Sequence, residues 1–458
     1  MTPTHFDHVL IGTGQATGTL VAGLPKSESI AVIEGGRIGG TCVNTGCTPT
    51  KTLVASAKVA HMVQRAAEYG VRIDGASVDF GAVMARMNTI RRGSSDGLES
   101  WLQELDHVKL LKGWASFEGP KTVRVGETRI TGEHIYLNVG ARARVPEIPG
   151  LADVPWLDNA RILELDALPE HLVVLGGAYV GLEFGQMFRR FGSEVTILEA
   201  GERLVLREDE DVSAAVKGVL EGEGITVRPN AHVVRVDRDG ADASRGVAVT
   251  LEGGEVVRGS HLLVAVGRVP NSDRLNLDAA GITTDDRGYI EVDDRTMTDV
   301  EGVFALGDVN GHGAFTHTSV NDAEIVLDAL HGGPRRVSDR IPVFAMFTDP
   351  PLARVGMTKR EAIEKGHRVL EATRDMSRIS RAKEMGETEG FVRLLVDADS
   401  DLILGASIFG LHGDEVINMF AAFMYSGRPC RDYRRAVLVH PTVSELMPWI
   451  LDDLKPVT

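Results

Sequence analysis

Cysteine is scarce here, with three in 458 residues. So few thiols cannot staple a fold, and they fit a reducing cytoplasm, where a disulfide is catalytic rather than structural. Positive charge is also short. Lys plus Arg number 49 against 65 Asp plus Glu, a formal charge of −16, whereas a nucleic-acid partner calls for a basic face. Long apolar runs are missing as well, so no membrane-spanning helix is expected. The fairly apolar run Val9–Leu24 lacks the basic flank of a signal peptide, because no Lys or Arg precedes Lys26, and Gly12, Gly14 and Gly18 interrupt it. Low-complexity segments are absent. The expectation is a cytoplasmic protein with neither nucleic acid nor membrane as a partner.

What is present in surplus is glycine: 51 residues, against a usual share of about 7 %. Glycine supplies tight turns and close backbone approaches, the needs of a nucleotide binder. A length of 458 residues provides for two to four domains. The opening FDHVLIGTGQATGTLVAGLPKSESIAVIEGG reads strand, glycine turn, helix, strand, with apolar runs at Val9–Ile11 and Ala31–Ile33. A near copy starts at His171, HLVVLGGAYVGLEFGQMFRRFGSEVTILEAG, with runs at Leu172–Leu175 and Val195–Leu198. Two βαβ units thus share one chain. HIYLNVGARARVPEIPG (134–150) and HLLVAVGRVPN (261–271) read as strands entering glycine turns, and Val145–Gly150 reads as a linker. Beyond Pro334 the texture changes to alternating strands (GFVRLLVD, LILGASIFG) and a helix over 414–425, a separate α+β domain.

A dinucleotide turn needs one glycine for the bend, one where backbone meets pyrophosphate, and one for helix–strand packing; an acid about 20 residues on takes the ribose hydroxyls. The first unit supplies Gly12, Gly14 and Glu34, with Thr17 at the third glycine position and Gly18 beside it to relieve crowding. The second supplies Gly176, Gly181 and Glu199, with Ala178 in the middle. A single such turn is weak evidence of a nucleotide site. Two copies, each ending in an acid, are hard to dismiss. Glutamate at both acid positions disfavours a 2′-phosphate, so NADH is preferred over NADPH, although Arg203 and Arg207 lie close behind Glu199.

Directly after the first unit comes GGTCVNTGCTPTK, with Cys42 and Cys47 separated by four residues and Lys51 following. Gly39 and Gly40 let backbone pass close to something flat. The run after Pro49 is helical, and thiols near a helix N-terminus are favoured as thiolates. A zinc site would need further ligands, and the next histidine, His61, has no partner cysteines. A redox-active disulfide explains the pair better than inert thiols do.

These residues closely resemble the flavoprotein disulfide reductases: lipoamide dehydrogenase, glutathione reductase, mercuric reductase and relatives. GWASF (113–117), GLEFG (181–185), TDVEGVFALGD (298–308) and HPTVSE (440–445) resemble the family too, and the likeness runs along essentially the whole chain. It implies an α/β fold: an FAD-binding domain (1–150, returning at 271–340), an NAD(P)-binding domain (151–270) and an α+β dimerisation domain (341–458). It implies that Cys42 is the interchange thiol and Cys47 the charge-transfer thiol, with Lys51 near the flavin and paired with Glu183. Asp308 would hold the ribityl chain and Ala115 the adenine. Thr41, Gly140 and Gly267 fall in cofactor-facing turns, Tyr179 where glutathione reductase carries its gating tyrosine, and His317 where lipoamide dehydrogenases carry a histidine. The helix opened by GAFTHTS would face the flavin with its N-terminus.

His440 and Glu445 make chemical sense as an acid–base pair, since reducing a disulfide needs a proton for the leaving thiolate and an imidazole titrates near neutrality. In the family this histidine reaches the other subunit's disulfide, implying a homodimer, and His440–Pro441 is a candidate cis bond. Mercuric reductases share IGTGQA and SRAKEMGETEG, but they hand over metal with a C-terminal cysteine pair, and this chain ends DDLKPVT. Cys430 is alone and reads as a buried thiol. A small disulfide therefore ranks as substrate above Hg or Cu ions or a quinone, and a non-catalytic redox sensor ranks lower still. Thr48, Thr50 and Asn138-Val139 depart from the usual pattern, which bears on the natural substrate.

Overall fold

The computed structural model describes residues 3–239 and 246–457. The first apolar run becomes β1 (Thr4–Ile11), and the glycine turn leads into α1 (Gln15–Gly23) and β2 (Ile30–Glu34). Next come α2 (Gly40–Asn44), α3 (Cys47–Gln64) and α4 (Phe80–Gln103). Four strands complete the region: β3 (Val108–Lys112), β4 (Ala115–Gly119), β5 (Thr122–Val125) and β6 (Thr128–Leu137). They form one sheet in the order β3-β2-β1-β6-β5-β4, and strand Val303–Ala305, far along the chain, adds in parallel to β6. β3, β2, β1 and β6 are mutually parallel. Such strands are covered on both faces, which is why Val9–Ile11 and Ile30–Ile33 are buried without alternation.

The second unit repeats this plan. Strand His171–Leu175 leads to α5 (Tyr179–Phe191), strand Glu194–Leu198 and α6 (Glu210–Gly222). Its parallel sheet runs Thr226–Arg228, Glu194–Leu198, His171–Leu175, His261–Val264, and a three-stranded antiparallel sheet lies beside it. The chain passes between the two units through one antiparallel ladder, Ala141–Ala143 against Arg268–Pro270. The Val145–Gly150 stretch, expected as a linker, is packed down. Val236 donates to the Pro149 carbonyl at 2.9 Å, and a Cβ on Gly150 would sit 1.9 Å from the Val236 carbonyl oxygen.

After α7 (Thr316–Leu330), a six-stranded antiparallel sheet forms the C-terminal part, with helix Gly413–Tyr425 packed on it. The architecture is α/β, two Rossmann-like units and an α+β domain. One buried cluster joins all three: Leu53 and Met87 from α3 and α4, Phe184 and Phe188 from α5, Met346 and Phe409 from the C-terminal sheet. Among the described residues no helix is long and apolar enough to cross a membrane.

Candidate active site

Both glycine turns have the same geometry. Gly12 (φ +94°) and Gly176 (φ +111°) sit where a Cβ would lie 2.4 Å from a carbonyl oxygen of the neighbouring strand's end, Asn138 and Ala265 respectively. Only glycine fits there. Each terminal acid folds back onto its own turn. Glu34 accepts from the Thr13 N–H (2.9 Å), the Thr13 hydroxyl (2.6 Å) and the Gly36 N–H (2.7 Å). Glu199 accepts from Gly177 and Gly201 N–H, each at 2.6 Å. Charged acceptors held by backbone donors are rigid, so each carboxylate is fixed at the end of its strand, where a ribose would lie.

The turns differ at the third glycine position. At Gly181 a Cβ would press to 2.1 Å from the Gly176 carbonyl oxygen. At the matching place in the first unit, Thr17 converts that approach into a hydrogen bond, its hydroxyl donating to the Gly12 carbonyl at 3.0 Å. Asn138 completes the arrangement by donating to the Thr17 hydroxyl at 3.0 Å. Gly18 does not relieve the crowding as expected, since a Cβ there would meet nothing within 4 Å. The departure at Asn138 belongs to this turn. Gly40 likewise makes its close approach to protein, a Cβ lying 3.0 Å from the Gly14 Cα. Gly140 (φ +64°) and Gly267 (φ +121°) have open space beside them and are required by their backbone angles alone.

Cys47 is the first residue of α3, and Lys51 stands one turn further on the same face. Opposite lies α5, where Tyr179 and Glu183 have the same spacing. Lys51 donates to Glu183 Oε2 at 2.7 Å, and Glu183 Oε1 accepts from the Phe347 N–H at 2.8 Å. The pattern continues down both helices. Lys58 pairs with Asp349 at 3.1 Å, while Arg190 bridges Asp349 (2.7 Å) and Glu223 (2.7 Å) and Gln186 donates to the Asp349 carbonyl. The 347–349 segment of the C-terminal part is thereby clamped between the cysteine helix and α5.

Cys42 and Cys47 are both free thiols here, so the disulfide expected between them is not formed in this structure. Cys47 is lowered to about 6, chiefly by the hydrogen bond from the Cys42 thiol, with help from the Thr316 hydroxyl and the Lys51 charge, while burial opposes the shift. Cys42 is pushed up by the same hydrogen bond and by burial, so the negative charge resides on Cys47. Thr316 Oγ1 lies 3.4 Å from Cys47 Sγ, at the first position of α7. His317 is turned away to the Val343 carbonyl (2.7 Å), its ring stacked on Phe315 and its pKa lowered by burial. Asp308 is ion-paired with Arg268, whose other nitrogen donates to the Ala141 carbonyl at 2.9 Å; burial raises Asp308, against the pull of that arginine. Ala115 is buried at the start of β4, and Thr41 is exposed on the first turn of α2.

His440 Nδ1 lies 2.8 and 2.9 Å from the two Glu445 oxygens, which orients the ring and leaves Nε2 facing out; the side chain is 73 % exposed. His440–Pro441 is cis. Val437 and Val439 beside it are exposed apolar residues. Cys430 is buried and donates to Asp401 at 3.0 Å.

A family model described as pyridine nucleotide-disulphide oxidoreductase matches residues 6–323, and the dimerisation domain of the same family matches residues 342–451. The chain belongs to this family. RclA of Escherichia coli (strain K12) is 36 % identical over 450 residues, covering 96 % of this chain and 97 % of that protein. The mercuric reductase of Bacillus cereus is 31 % identical over 445 residues, 96 % of this chain and 70 % of that one. A solved Cu(II) complex of the HOCl-induced flavoprotein disulfide reductase RclA from Escherichia coli superimposes with a TM-score of 0.88 at 36 % identity, covering 98 % and 99 % of the two chains. The chain is thus an oxidoreductase, and membership of the family implies FAD and NAD(P). The residues fit a dinucleotide: two cradles a Cβ would fill, each with a fixed carboxylate at its ribose end.

Sequence reasoning missed Arg268 and Thr316 as partners of candidate-site residues, and Gln186, Arg190 and Asp349 as the clamp behind them. For Gln186 and Arg190 a signal existed, because Tyr179, Glu183, Gln186 and Arg190 follow a helical stripe. Arg268 and Thr316 lie in motifs already singled out, but nothing local says which partner each will meet.

Proposed function

We propose that this enzyme passes reducing equivalents from NADH, through FAD and the Cys42–Cys47 pair, to a small disulfide. It acts as a cytoplasmic homodimer in which His440 and Glu445 serve the partner's thiols. Residues 1–150 and 271–340 are assigned to FAD, 151–270 to NAD(P) and 341–458 to the dimer. The observation carrying this reading is Cys47, a low-pKa thiol at a helix start beside the Lys51–Glu183 pair. NADH is favoured because Glu199 is fixed at the ribose position, while Arg203 is engaged by Glu202 and the Glu208 carbonyl.

Held at the Gly12 turn and Glu34, FAD would supply the two-electron redox chemistry that links the nucleotide's hydride to the thiol pair. Cys47 holds the thiolate charge through its donors. Cys42, freed of its proton by His440, attacks the substrate disulfide, and the protonated imidazole returns that proton to the leaving thiolate. The Cys47 thiolate then attacks the Cys42 sulfur, closing the Cys42–Cys47 disulfide and expelling the second product as a thiolate, which takes its proton from solvent. Glu445 keeps the His440 ring oriented through Nδ1. Anaerobic NADH should give a long-wavelength absorbance from the Cys47 thiolate beside the flavin; its persistence in Cys47→Ser would refute the assignment.

A second reading, reduction of a metal ion by the thiol pair, is favoured by one observation: the similar RclA was solved as a Cu(II) complex. A panel of lipoamide, glutathione, mycothiol, coenzyme A and bacillithiol disulfides with Hg(II) and Cu(II) separates the readings. Turnover of metal alone, insensitive to His440→Ala, would select the second.

A further inference from the structure

Tyr179 is seated in an aromatic stack drawn from three parts of the chain. Its ring packs on Phe344 with centroids 5.4 Å apart and planes 26° apart, and on Phe315 at 6.0 Å. Phe344 and Phe315 themselves stack at 6.0 Å. The Arg354 guanidinium covers Phe344, 4.8 Å from the ring centroid. Arg354 is in turn held by Glu208, 3.1 Å away, and by the Gly356 carbonyl at 2.7 Å, with both charged side chains buried. Glu208 closes the loop behind the second nucleotide turn, where Val205 N–H donates to the Gly177 carbonyl at 2.9 Å. The second turn and the C-terminal sheet therefore meet at one ring.

We propose that Phe344 is a positioning residue: it is the seat that holds Tyr179 at rest, and the Glu208–Arg354 pair fixes that seat, so the C-terminal sheet controls nicotinamide entry. The inference rests on Tyr179 being the gate over the flavin. A nicotinamide that enters must lift Tyr179 off its stack, so the stack opposes binding by the strength of one aromatic pair. Breaking it leaves the chemistry untouched and eases entry.

The test uses the FAD-loaded enzyme and NADH. Phe344→Leu should lower the KM for NADH by roughly three- to tenfold, the worth of one aromatic stack, with little change in kcat. It should also raise flavin fluorescence, since a tyrosine held against the ring system quenches it. Phe344→Tyr retains a ring and should restore both values. Glu208→Gln, which loosens Arg354 without emptying the core, should move both in the same direction and carries the test if Phe344→Leu does not fold. Tyr179→Leu should reproduce the two effects, and adding Phe344→Leu to it should change nothing further. If Tyr179→Leu shifts both values while Phe344→Leu and Glu208→Gln shift neither, the seat is overturned and the gate stands. If Tyr179→Leu is silent, the gate falls and the seat with it.

Discussion

Asn138 Nδ2 donates to Thr17 Oγ1 at 3.0 Å, and the same hydroxyl donates to the Gly12 carbonyl. Both side chains are buried, so neither finds a replacement partner in water. Thr17→Ala should cost about 1–3 kcal/mol by stranding the Asn138 amide, and Asn138→Ala a similar amount. The double variant should cost less than the sum, with a coupling of about 1 kcal/mol in chemical denaturation of the holoenzyme. Strict additivity would show that the two residues act separately.

Thr316 tunes Cys47. Removing its hydroxyl with Thr316→Val takes away a donor to an ionised sulfur, a bond worth about 1.5 kcal/mol, so the thiol should titrate about one unit higher. Cys47 is depressed to about 6, so its thiolate is present above that pH and is lost as the pH falls through it. The long-wavelength absorbance of the NADH-reduced enzyme, followed against pH, reads the midpoint directly. An unchanged midpoint in Thr316→Val would remove Thr316 from the account.

His440→Ala should slow disulfide turnover by about 10²–10⁴-fold while NADH still reduces the flavin at the wild-type rate. Glu445→Gln should be milder, because the ring loses only part of the carboxylate contact that orients it through Nδ1. Stopped-flow reduction and steady-state turnover together separate these steps. A loss of flavin reduction in His440→Ala would contradict its place on the disulfide side.

Arg190 is 4 % exposed and satisfies two carboxylates, on Glu223 and Asp349. Arg190→Met should destabilise the fold by about 3–5 kcal/mol, because buried Asp349 and half-buried Glu223 lose their shared cation. Converting Asp349 and Glu223 to their amides in the same chain should recover part of that loss. Chemical denaturation measures both, and a wild-type midpoint in Arg190→Met would show the clamp to be idle.

The fold and centre were legible where the relevant chemistry is local. Turn, helix and terminal acid of each nucleotide unit lie within 24 residues, so spacing alone exposes them. Cys42, Cys47 and Lys51 lie on two consecutive helices, and His440 and Glu445 lie five residues apart beside a cis proline, for the same reason. Thr17 was visible as a departure, but its remedy was sought next door at Gly18, whereas the structure supplies it from Asn138, 121 positions away. Lys51 with Glu183 came only from resemblance, and Arg190 with Asp349 not at all.

The sequence by itself determined the two nucleotide turns and the thiol pair, because backbone angle, helix register and side-chain type act over a few residues. Three cysteines sufficed to single out Cys42 and Cys47 as the candidate redox pair, and burial of Cys430 beside Asp401 sets the third apart from them. Only the tertiary structure decided which charges and rings meet: Lys51 with Glu183, Arg354 with Glu208, and Tyr179 with Phe344. Those pairs depend on how a mixed sheet, a parallel one and an antiparallel one pack across a shared core, and no local spacing encodes that packing.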